Sequence, residues 1–325
     1  MTDDRTAPSG RSASARDLPL LDALRLLANF EVVYHHMQGG TLFGSAFGVP
    51  LFMTLMIALA VGSTREEPAL TFGLRKATYL LTPWLRWSLI YGGLAVGLDV
   101  AAGRSATTSL SWPMLAIGGH LSLWFLPAAA ALLFLVKPVQ KLAHRGTPAV
   151  AGYSLAIAAA AYTLVSPELA ALFPRDLPDQ TWVRVSPALL WGAAIAQSVR
   201  ARSSRGRSAI LLVTAALALA AWAIRPETVR LEDPIPRFGV AVPLTCLGFG
   251  LRVQLPRWVR SVSTATFGIY LSHVLIAKGL TLVASPTSWP HWAHAWTVWL
   301  LSLAAVFLLR RIGLQWNELR VGRRT

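Results

Sequence analysis

The chain has 325 residues, 54% of them hydrophobic and 14% charged, where soluble domains carry about 25% charged residues. The apolar residues come in blocks of about 15 to 22, and a bilayer-spanning helix needs roughly 20, so composition excludes one large soluble core. The net charge of +15 would suggest nucleic acid in a soluble protein, but the basic residues sit in short loops between apolar blocks, so no nucleic-acid partner is expected.

Residues 1–17 are polar and rich in Ser, Arg and Asp, and read as a disordered cytoplasmic tail. The next segment contains Asp22, Arg25 and Glu31, which excludes a cleaved signal peptide. Ten apolar segments follow as the spans of an all-α polytopic membrane helix bundle. The first five are Leu18–Met37, Gly44–Gly62, Ala77–Leu98, His120–Val136 and Ala149–Val165. The second five are Val183–Val199, Ser208–Ile224, Phe238–Leu251, Val262–Ala284 and Ala295–Leu309. One membrane domain over 18–312 and a basic cytoplasmic tail over 313–325 complete the division.

With the N-terminus inside, the inward stretches hold 21 Lys and Arg and the outward ones hold 5. That split predicts both termini in the cytoplasm and an even number of spans, with membrane lipid as the surrounding partner. The single cysteine, Cys246, lies in an apolar block and excludes an intramolecular disulfide. The seven histidines have no ligand-like spacing, so no metal is expected.

The first segment reads Leu-Leu-Asp22-Ala-Leu-Arg25-Leu-Leu-Ala-Asn29-Phe-Glu31-Val-Val-Tyr34-His35-His36. An ionised residue near the bilayer centre costs roughly 2.5 to 3.5 kcal/mol, so three in one span need partners or water. At about 100° per residue, with Arg25 at zero, His36 falls at roughly +20°, Asn29 at roughly +40° and Asp22 at roughly +60°. These four form one polar stripe, with Arg25 and His36 about 16 Å apart along the axis. A structural Asp22–Arg25 pair with an interfacial histidine accounts for the stripe as well as an active site does. A transporter would also fit.

Four segments in order resemble the membrane-bound acyltransferase 3 family across essentially the whole membrane domain. The first is Leu-Asp22-Ala-Leu-Arg25 with His36 eleven residues beyond the arginine. The second is Phe72-Gly-Leu-Arg75-Lys76 followed by Leu-Leu-Thr-Pro83-Trp84. The third is Gly-Gly-His120-Leu-Ser-Leu-Trp124-Phe125-Leu-Pro127. The fourth is Phe267-Gly-Ile-Tyr270-Leu-Ser-His273. Two departures stand out. The second span reads Val49-Pro-Leu-Phe52-Met-Thr-Leu-Met56 without the family's Ser-Gly, and Ser122 and Leu123 are inserted before Trp124.

The resemblance implies O-acyl transfer, acetyl in the first instance, from cytoplasmic acyl-CoA as co-substrate, with no permanently bound cofactor. The acceptor would be a hydroxyl of a surface polysaccharide or lipid-linked saccharide at a bacterial inner membrane. It implies that His36 and Arg25 are catalytic, and that Arg25, Arg75 and Lys76 bind the donor. His120, Trp124, Tyr270 and His273 are weaker candidates for acceptor binding or support. Histidine suits removal of a hydroxyl proton near neutral pH, and Arg and Lys suit the phosphates of coenzyme A. No esterase-like domain follows, so the chain is expected to act alone or to hand substrate to polysaccharide-assembly proteins. The rival readings are a ten-helix transporter without acyl chemistry and a structural scaffold.

Overall fold

The computed structural model describes residues 18–37, 45–63, 66–106, 114–173, 178–225, 233–283 and 289–312. The tails 1–17 and 313–325, and the expected segment limits Gly44 and Ala284, lie outside the described residues. Among the described residues the secondary structure is helical, with no strand. The elements are α1 (Pro19–His36), α2 (Gly48–Val61), α3 (Ala69–Ala101), α4 (Met114–Ile117), a 3-10 turn (Leu121–Trp124), α5 (Phe125–Ala143) and α6 (Pro148–Ala171). They continue with α7 (Pro178–Val185), α8 (Ala188–Arg200), α9 (Ser204–Ala223), α10 (Pro234–Gly250), α11 (Arg257–Ser263), α12 (Thr266–Val283) and α13 (His291–Arg311).

Each of the ten apolar segments falls on helix, but three are not single rods. The fourth begins as the 3-10 turn, so the two residues inserted before Trp124 lie inside that turn. The sixth divides into α7 and α8 at Ser186-Pro187, where proline supplies no backbone donor. The ninth divides into α11 and α12, and hydroxyls take over the local bonding. Thr264 Oγ1 donates to the Ser261 carbonyl at 2.7 Å, and Thr266 Oγ1 to the Ser263 carbonyl at 2.8 Å.

Among the described residues five helices are long and apolar enough to cross a membrane: Ser122–Ala143, Pro148–Ala171, Ser204–Ala223, Thr266–Val283 and His291–Arg311. Leucines such as Leu85 and Leu89 on α3, and Leu300 and Leu308 on α13, face outward. An apolar exterior around a buried core suits lipid as solvent.

Helix α2 lies inside the bundle, against α1, α5, α8 and α10. Its entry is set by α1: the Gly48 backbone N–H donates to Glu31 Oε2 at 2.8 Å. A Cβ at Gly48 would stand 2.6 Å from the Ala28 carbonyl oxygen, so only glycine admits this approach. The carboxylate also sits at the positive end of the α2 dipole. On the far side of α2, Gly192 of α8 comes so close that a Cβ would meet the Thr54 carbonyl oxygen at 2.9 Å. Small residues of this kind are what let membrane helices pack closely.

The other flank is held by Asn29, which is fully buried. Its Nδ2 donates to the Thr266 carbonyl at 3.1 Å, and Trp299 Nε1 donates to its Oδ1 at 2.9 Å. One side chain thereby joins α1 to α12 and α13. At the other end of α2, Gln140 of α5 donates to the carbonyls of Val61 and Ser63, both at 2.9 Å.

Candidate active site

Two cavities of the bundle adjoin at α1 and α2. The larger, about 820 Å³, is lined by Arg25, Glu67, Arg75 and Lys76 and by apolar walls including Phe52, Met56 and Phe267. The smaller, about 300 Å³, is lined by Glu31, His35, His36, His120, Trp124 and Arg237, among others. Val32 and Val49 line both.

In the larger cavity, Arg25 reaches Asp22 one turn back, Nη1 to Oδ1 at 3.0 Å. Ser263 Oγ also donates to that oxygen, at 2.9 Å. Asp22, which does not line the cavity, therefore orients an arginine that does. Arg75 Nη2 pairs with Glu67 Oε1 at 2.5 Å, and its Nε lies 3.4 Å from the second oxygen. Arg75 and Lys76, together with Lys137 of α5, surround the buried Phe72 ring at 5.7, 5.8 and 5.4 Å from its centre. Cations within about 6 Å of an aromatic centre are attracted by its quadrupole. The three basic residues predicted to bind donor thus share one cavity. Glu67 and Lys137 beside them carried no sequence signal beyond their charge.

In the smaller cavity, His36 is exposed to the space, and its Nδ1 lies 2.7 Å from the Val32 carbonyl oxygen. A carbonyl only accepts, so the neutral ring carries its proton on Nδ1 and a lone pair on Nε2. His273 is fully buried, with its ring centre 5.0 Å from that of His36. Its Nδ1 lies 2.7 Å from the Tyr270 carbonyl, and its Nε2 has no hydrogen-bond partner among the described residues. Tyr270 lines the larger cavity while its hydroxyl donates to the carbonyl of Ser122, which lines the smaller one. Trp124 forms part of the smaller cavity's wall, and His273 lines neither cavity.

Arg25 and His36 are therefore on one face of α1 but in different chambers. Asn29, between them on the stripe, lines neither and is spent on packing. Sequence reasoning assigned no role to Glu31, Arg184 or Arg237. Glu31 falls at roughly 240° from Arg25, off the stripe. Arg237 is its electrostatic neighbour in the smaller cavity, and Arg184 pairs with Asp233 at 3.6 Å. The signal that could have found them was the presence of charge within apolar segments.

Among the described residues no cluster of His, Cys, Asp and Glu is arranged to hold a metal. A family model described as an acyltransferase domain, of the acyltransferase 3 type, matches residues 18–310. Neither a curated relative nor a solved structure matches the chain.

Proposed function

The chain belongs to the acyltransferase 3 family and is a membrane acyltransferase, and from that premise we propose that it moves an acyl group between its two cavities. The donor is cytoplasmic acyl-CoA, acetyl-CoA in the first instance, held in the larger cavity by Arg25, Arg75 and Lys76. The acceptor is a hydroxyl of a surface polysaccharide or lipid-linked saccharide, held in the smaller cavity. The setting is a bacterial inner membrane, crossed ten times, with both termini in the cytoplasm.

The observation that carries this reading is the shared wall. Basic groups line one chamber, a histidine with an accessible lone pair lines the other, and only Val32 and Val49 line both. Arg side chains suit phosphate because they offer several N–H donors in a fixed fork. Two of these arginines are already oriented by carboxylates, which limits the ordering lost on binding. His36 Nε2 accepts the hydroxyl proton as the oxygen attacks the thioester carbon. The same proton then goes to the departing thiolate, giving an ester and free coenzyme A.

The test is labelled acetyl-CoA with membranes containing the full-length protein. The wild type should transfer label to glycan and retain coenzyme A. His36→Ala should insert normally and transfer nothing, whereas unchanged transfer in that variant removes the assignment. A transporter would bind no coenzyme A at all.

A further inference from the structure

We infer that His120 is a second catalytic residue, whose Nε2–H holds the oxyanion that forms on the thioester carbonyl. This deepens the acyl-transfer reading above and rests on it. Neighbouring groups place the proton on the His120 ring. His120 is the N-cap of the 3-10 turn, and the Ser122 backbone N–H donates to its Nδ1 at 3.2 Å. A backbone N–H can only donate, so Nδ1 is an acceptor and the neutral ring's proton is on Nε2. Ser122 Oγ, 2.9 Å from the same nitrogen, can donate to it as well.

This is the opposite tautomer from His36. Both rings line the same cavity and lie close enough for their charges to interact. One presents a lone pair at Nε2 and the other an N–H, and neither Nε2 has a partner among the described residues. Acyl transfer to a hydroxyl requires that pairing, because a proton must leave the acceptor while negative charge grows on the carbonyl oxygen. Of the two arginines that line the chamber, Arg184 pairs with Asp233 at 3.6 Å and Arg237 is an electrostatic neighbour of Glu31.

The His120 ring is also held still. Gly118, with φ of +92°, turns the chain so tightly against α3 that a Cβ would meet Trp84 Nε1 at 2.8 Å. The Tyr91 ring stands 5.2 Å from that of His120. Tyr91 is fixed in turn: its hydroxyl donates to the Leu271 carbonyl at 2.8 Å and accepts from the Leu275 N–H at 3.3 Å. A donor oriented before the reaction has no reorganisation to undergo as charge develops.

The acceptor O–H proton passes to His36 Nε2, and the oxygen's electron pair forms the new C–O bond. The carbonyl π pair moves onto oxygen, where His120 Nε2–H donates to it. The pair returns, the C–S bond breaks, and the thiolate takes the proton from His36. His120 keeps its proton throughout.

Three variants test the assignment in the full-length protein reconstituted in lipid nanodiscs. Acetyl-CoA is the donor, methyl hexopyranosides are the acceptor probes, and the readout is release of the coenzyme A thiol. His120→Ala should lower kcat by about 10²- to 10³-fold, the usual loss of one oxyanion donor, with the KM for acetyl-CoA unchanged. His120→Asn keeps a side-chain acceptor for the Ser122 N–H, since Asn is a good N-cap, but has no N–H at the ε position. It should stay as slow as the alanine variant. His120→Gln returns an N–H near that position and should recover at least tenfold of the loss. Full activity in His120→Asn would assign the residue to capping and overturn the inference, as would an effect on acceptor KM alone. Absence of turnover in the wild type overturns the acyl-transfer reading and this assignment with it.

Discussion

The Nδ1 of His36 lies 2.7 Å from the carbonyl oxygen of Val32, the residue one turn back, which lines both cavities. The contact fixes the orientation of the His36 ring and leaves Nε2 as its basic nitrogen. Since His36 does not line the larger cavity, its loss should separate chemistry from donor binding. His36→Ala should reduce transfer by about 10²- to 10⁴-fold, the usual worth of a general base. Retention of labelled acetyl-CoA should not change. A variant that loses coenzyme A retention would show that His36 belongs to the donor site instead.

The Arg75–Glu67 pair gives a second expectation. Arg75 is held by both carboxylate oxygens, at 2.5 and 3.4 Å, facing the cavity that Arg25 and Lys76 also line. Charge-assisted hydrogen bonds contribute about 1.5 to 3 kcal/mol, so Arg75→Ala should raise the KM for acetyl-CoA by about 10- to 100-fold. Arg75→Lys keeps the charge without the fork and should fall between the two. Initial-rate kinetics against donor concentration decide it. A fall in kcat with KM unchanged would contradict a role in donor binding.

Asn29 should behave as a structural residue. Asn29→Leu leaves the Trp299 N–H and the Thr266 carbonyl without their partner inside the bundle. Each orphaned group costs about 1 to 3 kcal/mol. Thermal unfolding in detergent should show a clear drop in Tm, with kcat per folded molecule near wild type. A selective loss of kcat at unchanged Tm would restore Asn29 to the catalytic stripe.

That contrast shows what the sequence could carry. The ten apolar segments read from hydropathy all fall on helix, five of the helices being long and apolar enough to cross a membrane, because lipid demands long apolar runs. Helical periodicity put Arg25 and His36 on one face and gave a separation too long for contact. The same periodicity grouped Asn29 with them, since an angle on a wheel does not say which neighbour stands opposite. Partners from distant segments were not legible. Thr266 and Trp299 lie 237 and 270 residues from Asn29. Glu67 is in a loop that has no period. The break of the fourth segment at Ser122 was visible only as two extra residues, yet that turn sets the tautomer of His120.

The shared wall makes the last prediction. Val49 stands with Val32 between the chambers, in the stretch of α2 where the chain departs from the family's Ser-Gly pattern. An acyl group carried by a donor in the larger cavity must pass this wall to reach His36. Val49→Phe fills the gap without touching the basic residues. Misplacing a reacting group by about 1 Å can cost 10²-fold, so kcat for acetyl transfer should fall by roughly tenfold to a hundredfold. The KM for acetyl-CoA should hold, because Arg25, Arg75 and Lys76 are unchanged. Val49→Ala should act in the opposite sense, raising the rate with butyryl-CoA relative to acetyl-CoA. A bulky residue at 49 that leaves both rates intact would mean that the acyl group reaches His36 by another route.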